Sequence, residues 1–89
     1  MKVYEVIRIR FNEDTNRKST TSVEYYFKES SAKTKLRTRV EGSFYRMQEQ
    51  GYQPAWIHDS FMNEVQYINE NDELISVRYE IHEHNIIED

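Results

Sequence analysis

The chain has 89 residues with seven Tyr, four Phe, one Trp, two Gly and no Cys, and its formal net charge at pH 7 is −4. This length allows one domain, residues 1–89, with a single modest core, and the aromatic content excludes a disordered tail. The lack of cysteine excludes disulfide and thiol chemistry, and no stretch is apolar for long enough to be a signal peptide or a membrane span, so we expect a cytoplasmic protein.

The charges divide unevenly between the two halves of the chain. Residues 1–44 carry ten basic and six acidic side chains, a balance of +4, whereas residues 45–89 carry two basic and ten acidic ones, a balance of −8. This division predicts either two oppositely charged surfaces or two halves that neutralise each other when they pack.

The first predicted element is a half-buried strand over residues 2–11, in which side chains of two kinds alternate. Apolar side chains point to one face: Val3, Ile7, Ile9 and Phe11. Polar and aromatic ones point to the other: Tyr4, Arg8 and Arg10. The polar run over residues 12–21 then predicts a long hairpin loop, which is followed by a second strand with Val23, Tyr25 and Phe27 on its apolar face.

The segment KTKLRTRV, residues 33–40, fits two interpretations. As a strand it carries four cations on one face, and as a helix it carries cations around an apolar stripe. The helix is favoured because apolar residues recur in steps of four, four, four and three, namely Ala32, Leu36, Val40, Phe44 and Met47. We therefore predict a helix over about residues 31–50.

The ends of this helix can also be predicted. Ser30 or Ser31 can cap its first turn by accepting a hydrogen bond from a free backbone N–H group, and Gly51 suits the left-handed conformation that follows a last turn. Gly42 disagrees with the helix and fits the strand better, because glycine inside a helix costs about 1 kcal/mol relative to alanine.

The cations of the helix need acidic partners. Lys33 and Arg37 lie four residues apart, as do Lys35 and Arg39, and like charges at this spacing repel by about 0.2–0.5 kcal/mol. Glu41 can offset Arg37, but no residue of the helix offsets the other pair. We expect Lys35 and Arg39 to meet either the acidic second half of the chain or another molecule.

The segment from residue 55 to residue 68 fits a helix and a strand equally. The turn residues 69–72 and the alternating segment after them favour a hairpin of two strands, over 64–68 and 74–82. The predicted fold class is then α+β, a two-layer sandwich in which one helix packs on one face of a four-stranded antiparallel sheet, in the order β-β-α-β-β.

The sequence contains no motif that is typical of a catalytic site. Glu80, His82 and His84 share one side of the last strand and are candidate metal ligands together with His58 or Asp59, but this histidine spacing is common by chance. The sequence contains no phosphate-binding loop, nucleophile elbow or zinc-protease helix. We therefore predict that the protein is not an enzyme and binds no metal and no cofactor.

One candidate interface is basic and aromatic. We expect six side chains to share the sheet face away from the helix: Tyr4, Arg8, Arg10, Tyr26, Lys28 and Arg78. Tyrosine stacks on bases and arginine contacts phosphates, so this face forms a nucleic-acid-binding alternative together with the helix cations Lys33, Lys35, Arg37 and Arg39. The net negative charge counts against it, because few cations must then be focused to hold a polyanion.

The other candidate interface is the acidic second hairpin, which Glu88 and Asp89 extend. It combines carboxylates with the aromatic side chains that interface hot spots favour: Glu64, Tyr67, Glu70, Asp72, Glu73 and Tyr79. We give it priority, as a surface that occupies a basic groove on another protein.

The general style of the sequence also suggests an origin and a partner. Small size, missing cysteine and many Asn, Glu, Tyr and Ile residues are typical of accessory proteins of phages and mobile elements. This style predicts an inhibitor of a nucleic-acid-handling system of a host, such as an anti-CRISPR protein. Exposed strand edges also predict a homodimer, because unpaired edges tend to find partners.

Overall fold

The computed structural model describes residues 1–58 and 63–87. Within them the chain forms one helix and five strands: β1 (Lys2–Asn12), β2 (Arg17–Tyr26), α1 (Glu29–Glu49), β3 (Ala55–His58), β4 (Asn63–Ile68) and β5 (Leu74–Asn85). Asp59, Glu88 and Asp89, which the sequence assigns to a metal site or to the acidic surface, lie outside the described residues.

The strands form one antiparallel sheet in the order β2-β1-β5-β4-β3, and α1 packs on one of its faces. The prediction of an α+β fold with one helix on an antiparallel sheet is confirmed. The predicted number of four strands is wrong, because the described part of the sheet has five. The additional strand is β3, which pairs with β4 through only four residues. Its residues do not alternate, because Ala55, Trp56 and Ile57 are three apolar residues in a row, so the sequence shows no period of two there.

Helix α1 forms where the apolar stripe predicts it, and the stripe faces the sheet. Ala32, Leu36 and Val40 are buried, and Phe44 and Met47 pack against the same core. The strands contribute the rest of the buried cluster: Val6, Val65, Tyr67, Ile75, Val77 and Tyr79. Burial of this continuous apolar surface holds the helix on the sheet.

The helix begins earlier than predicted, at Glu29. Its N-cap residue is Lys28, which makes no side-chain capping hydrogen bond, so the prediction of a Ser30 or Ser31 cap is wrong. Glu29 contributes to the same end in another way, because a carboxylate in the first turn is stabilised by the positive end of the helix.

The end of the helix agrees with the prediction. Gly51 has a φ of 91°, a left-handed conformation that glycine adopts without a steric penalty. Its N–H donates to the carbonyl of Gln48 at 3.0 Å, and the N–H of Tyr52 donates to the carbonyl of Met47 at 3.0 Å. These two bonds form a Schellman motif, which satisfies carbonyls that the last turn leaves free.

The two faces of β1 are exchanged relative to the prediction. Val6 lies in the core beneath α1 and Tyr4 packs against it, so the even-numbered side chains of β1 face the helix. Ile7 and Ile9 line the opposite face of the sheet. The reason is the register with β5, in which Val6 stands opposite Ile81 on the helix side. Alternation within one strand shows which residues share a face, but the neighbouring strand decides which face meets the helix.

Strand β2 begins at Arg17, inside the segment predicted as a long loop, and the connection shrinks to residues 13–16. β1 offers pairing partners as far as Asn12, and pairing satisfies backbone groups that a loop leaves to water. The Asn12 side chain closes the turn, because it accepts hydrogen bonds from the N–H groups of Asp14 and Thr15 at 3.0 and 3.1 Å.

The predicted apolar face of β2 is divided. Val23 packs against the core, whereas Tyr25 and Phe27 are 59% and 73% exposed. The pairing of β1 with β2 is irregular between Val6 and Ile7, and such a bulge changes which side chains share a face on either side of it. Val23 therefore faces the helix while Tyr25 does not.

Candidate functional site

A cleft of about 440 Å³ lies between α1 and the edge of the sheet formed by β1 and β2. Four cationic side chains line it: Arg8 from β1, and Lys35, Arg39 and Arg46 from α1. Its other lining residues are Val23, Thr38, Gly42 and Tyr79. We call it the basic cleft, and its positive charges in one recess attract anions.

The spacing of the helix residues explains why they meet in this cleft. Lys35, Arg39, Gly42 and Arg46 follow one another in steps of four, three and four residues, so they lie on one helix face beside the buried stripe. From Lys35 to Arg46 this face extends over about 16 Å, at 1.5 Å per residue. Arg37 is two positions from Arg39 and therefore points about 160° away from it around the helix.

Two cations of the helix are neutralised outside the cleft. Lys33 pairs with Glu29 at 3.0 Å, and Arg37 pairs with Glu41 at 3.4 Å. The predicted partnership of Arg37 and Glu41 is confirmed. Both pairs join residues four apart on an exposed surface, where such a pair contributes about 0.3–0.5 kcal/mol.

The cations of the basic cleft have fewer acidic partners. Lys35 lies 3.8 Å from Glu24 of β2, so its partner comes from the first half of the chain and not from the acidic second half. Among the described residues, no ion pair involves any of the three arginines of the cleft. An arginine without a carboxylate partner offers its donors to another anion, which it can bind through two parallel hydrogen bonds.

A second recess of about 410 Å³ adjoins the basic cleft and shares Lys35 and Thr38 with it. Its other lining residues all bear hydroxyl groups: Tyr26, Ser30, Ser31 and Thr34. We call it the hydroxyl recess, and we call the two recesses together the helix groove. The helix groove follows α1 from residue 30 to residue 46, a length of about 24 Å.

One carboxylate lies where the two recesses meet. Glu24 approaches Lys35 and also accepts a hydrogen bond from the Tyr26 hydroxyl. This hydrogen bond raises the pKa of Tyr26, because the phenol must stay protonated to donate. Arg39 acts on the pKa of Tyr26 in the opposite direction, which agrees with its position beside the same junction.

The sheet residues predicted to bind nucleic acid do not lie on the face away from the helix, so that placement is wrong. Tyr4 and Tyr26 pack against the core beneath α1, and Arg8 lines the basic cleft. Arg10 shares their face of the sheet, and Lys28 is the exposed residue just before the helix. The register of β1 with β5 is again the reason, because it turns the even-numbered side chains of β1 toward α1.

Arg78 differs from the others, since it does lie on the face without the helix. Its guanidinium group is 3.7 Å from a carboxylate oxygen of Glu64 and 3.7 Å from one of Glu80. Arg78 therefore neutralises two acidic neighbours on the sheet, and its charge is not free for a phosphate. The structure brings together Arg8, Lys35 and Arg39 from the predicted set and separates them from Arg37 and Arg78.

Half of the residues predicted for the acidic interface lie in the interior. Tyr67 and Tyr79 belong to the core, and the hydroxyl groups of Tyr79 and Ser43 are 2.8 Å apart. Glu64 is 5% exposed beside Arg78. These side chains are too little exposed to form the predicted acidic surface, which leaves the turn of the hairpin as its exposed part.

That turn is held in a fixed shape by Asn69. The Asn69 side-chain oxygen accepts hydrogen bonds from the N–H groups of Asn71 and Glu73, at 3.0 and 2.9 Å. Asp72 has a φ of 60°, a left-handed conformation that aspartate tolerates in turns. Glu70 accepts a hydrogen bond from the Tyr52 hydroxyl at 2.5 Å, which lowers the pKa of Glu70.

Two histidines of β5 each contact one carboxylate. His82 Nε2 lies 2.9 Å from Glu80, and His84 Nε2 lies 2.8 Å from Glu5. Among the described side chains, no three His, Cys, Asp or Glu residues stand close enough together to hold a metal ion. The candidate ligands His58 and Asp59 lie outside the described side chains, and the expectation that no metal binds stays a prediction.

Glu5 should give the protein an acid-sensitive contribution to stability. Hydrogen bonds from Ser22, His84 and Tyr25 lower the pKa of Glu5 from 4.5 to about 2. Folding therefore favours the carboxylate, and this stabilisation is present above pH 4.5 and is lost as the pH falls toward 2. We expect Glu5→Gln to be less stable than the wild type in urea denaturation near neutral pH, with the difference shrinking below pH 4.5. A difference that stays constant into acid would contradict this assignment.

Four residues of the basic cleft are not among the candidate binding residues of the sequence: Val23, Thr38, Gly42 and Arg46. Arg46 follows Arg39 by seven residues, which is two turns along the same helix face, and this spacing is the signal that identifies it. No signal in the sequence shows that Arg8 joins them, because a strand residue meets a helix only through the tertiary fold.

Comparison with known proteins found no matching family model, no matching curated protein and no matching solved structure. Among the described residues, no helix has the length and apolar character needed to cross a membrane.

Proposed function

We propose that this protein binds nucleic acid without enzymatic activity, in the cytoplasm, and that the basic cleft holds the sugar–phosphate backbone. The observation that carries the proposal is the convergence of four cations on one recess: Arg8, Lys35, Arg39 and Arg46. Only Lys35 has a carboxylate partner among the described residues. Phosphate groups supply the negative charge that the fold leaves out of this recess.

Phosphate is the anion that these side chains fit best. Arginine binds phosphate oxygens through two parallel N–H···O hydrogen bonds, and lysine binds them as a point charge. The row of three helix cations is about 16 Å long, so it spans several successive phosphates of one strand. A repeating polyanion satisfies such a row better than a single phosphate ion does.

The net charge of −4 is compatible with this function because the charge is divided along the chain. Three of the four cleft cations lie in residues 1–44, which have a balance of +4, and the fourth, Arg46, is one of two cations in the acidic half. The fold places that cation beside the others, so the positive charge is focused in spite of the overall balance.

Fluorescence anisotropy with a labelled single-stranded oligonucleotide, measured over a salt series, tests the proposal. We expect micromolar binding at about 50 mM salt, with a slope of log affinity against log salt of about −2 to −3 for three or four neutralised phosphates. Absence of binding at low salt, or binding that does not weaken with salt, would contradict the proposed function.

An inhibitor that occupies a basic groove on another protein is the second candidate, and the fixed turn of the β4–β5 hairpin favours it. Glu70 and Asp72 are exposed on a turn whose shape Asn69 already sets. A preordered acidic turn loses little conformational entropy on binding and speeds the encounter with a basic partner. A protein of a phage or mobile element could block a nucleic-acid-handling system of its host in this way.

Reversal of the turn charges distinguishes the two functions. In the triple variant Glu70→Lys, Asp72→Lys, Glu73→Lys, we expect nucleic-acid affinity to stay the same or to rise, because the basic cleft is intact and repulsion of the polyanion is removed. Loss of a protein partner in a pull-down with this variant would support the inhibitor instead. Loss of nucleic-acid affinity, measured by anisotropy, would contradict the separation of the two surfaces.

A further inference from the structure

The glycine in the middle of α1 has no explanation in the packing of the protein itself. Gly42 occupies a helix interior, where glycine is less favourable than any residue except proline. A Cβ added at Gly42 would meet no atom within 4 Å, so the fold has room for a side chain there. Gly51, by contrast, has a φ of 91° and ends the helix.

What Gly42 does provide is access to the backbone of the helix. It is exposed, and it lines the basic cleft between Arg39 and Arg46, which stand about 10 Å apart along the helix axis. The missing side chain leaves bare backbone in the middle of the row of cations. Glycine is the residue that permits close approach of another chain to a backbone.

The hydroxyl recess continues the same path with neutral polar groups. Thr34 and Thr38 donate their hydroxyl hydrogens to the carbonyls of Ser30 and Thr34, at 3.0 Å in both cases. Their oxygen atoms can still accept hydrogen bonds, which suits the amino groups of bases and the hydroxyl groups of sugars. The helix groove therefore offers cations at one end and acceptors at the other, as a strand with both phosphates and bases requires. The Glu24 carboxylate at the junction is already paired with Lys35 and hydrogen-bonded to Tyr26.

We infer that one single strand of nucleic acid lies lengthwise in the helix groove and passes over Gly42, where its backbone comes close to that of the helix. This inference rests on the proposed function and specifies its ligand. The groove is about 24 Å long, so it spans several successive nucleotides of one strand. A duplex is read by elements that protrude into a groove about 12 Å wide, whereas these cations line a recess.

Substitution of Gly42 tests this inference because stability and affinity should change in opposite directions. We expect Gly42→Ala to raise Tm by about 4 °C or more, since alanine is the better helix former. The same variant should bind a single-stranded oligonucleotide about three-fold more weakly, and Gly42→Leu at least about ten-fold more weakly, because a side chain occupies the path of the strand. The wild type should bind the single strand more tightly than a duplex of the same sequence.

Gln48→Leu is the matched control, since it adds the same apolar side chain to an exposed position of α1 that does not line the groove. We expect this control to bind as the wild type does.

If Gly42→Leu binds as tightly as Gln48→Leu, or if the duplex binds better than the single strand, the inference is wrong while the proposed function stands. If the wild type binds neither strand form at low salt, both fail. A fall in Tm for Gly42→Ala would also overturn the inference, because Gly42 would then serve the fold.

Discussion

Arg39→Ala combined with Arg46→Ala should weaken the binding of a single-stranded oligonucleotide by about sixty-fold at about 50 mM salt. Each phosphate contact contributes about 0.7 to the slope of log affinity against log salt. One contact therefore strengthens binding by about eight-fold when the salt concentration falls from 1 M to 50 mM. Loss of two contacts should therefore reduce the affinity by about sixty-fold and make the slope shallower by about 1.4. The measurement is fluorescence anisotropy over a salt series, with circular dichroism to show that the helix is retained.

The control for this variant removes the same charge from the same helix. Lys33→Ala combined with Arg37→Ala also takes away two cations, but each of these is paired with a glutamate outside the basic cleft. We expect it to weaken binding by less than about three-fold, because exposed and already neutralised charges act weakly on a distant phosphate. Equal losses in the two double variants would show that binding depends on net charge and that the cleft is not the site.

Ile75→Ala should lower the free energy of unfolding by about 2–5 kcal/mol. A domain of this length has a total stability of roughly 4–13 kcal/mol, so the variant should lose a large part of it. Ile75 is completely buried in β5, on the face that packs against α1, and it pairs with Tyr67 of β4. Truncation leaves a cavity between helix and sheet that the surrounding residues cannot fill. Urea denaturation followed by circular dichroism measures the loss.

Ile68→Ala is the control for the core substitution. Ile68 is 49% exposed at the end of β4, so the same change removes a β-branched residue from a strand without opening a cavity. We expect a loss of under about 1 kcal/mol, which reflects strand preference alone. If the two variants lose equal stability, the buried cluster around Ile75 is not the main core.

The proposed binding site depends on the position of α1. The buried stripe of the helix is fixed on the sheet, and the cations of the basic cleft lie on the helix face beside that stripe. Packing therefore fixes the backbone positions from which Arg39, Arg46 and Arg8 extend before any ligand arrives. The side chains of Arg39 and Arg46 are exposed and must still be ordered on binding, so the fixed backbone removes only part of the conformational entropy cost.

Much of the local structure could be predicted from short patterns. The stripe from Ala32 to Met47 repeats at 3.6 residues, which identifies the helix in spite of the alternating cations of KTKLRTRV. The end of the helix at Gly51 and the turn after Ile68 are predicted from Gly, Asn and Asp, which are the residues that tolerate a left-handed backbone conformation. Each of these features depends on neighbours within one or two turns of chain, so a single sequence contains the information.

The features that were predicted wrongly depend on contacts between distant segments. β3 exists because β4 offers it a pairing edge, and β2 extends to Arg17 because β1 continues beside it. The helix starts at Glu29 without the serine cap that its sequence offers. For the two strands, pairing with a distant segment outweighed the local preference, whereas the helix end uses the charge of Glu29 in its first turn.

The sequence by itself determined the α+β class, the face of the helix that is buried and the set of cations from which a binding site can be made. The tertiary structure decided which of those cations lie together. The register of β1 with β5 turned Arg8 toward the helix, and helix spacing added Arg46 and the bare backbone of Gly42. The sequence of a strand shows which residues share a face but not which face meets the helix. Pairing with the neighbouring strands and packing of the helix decide that.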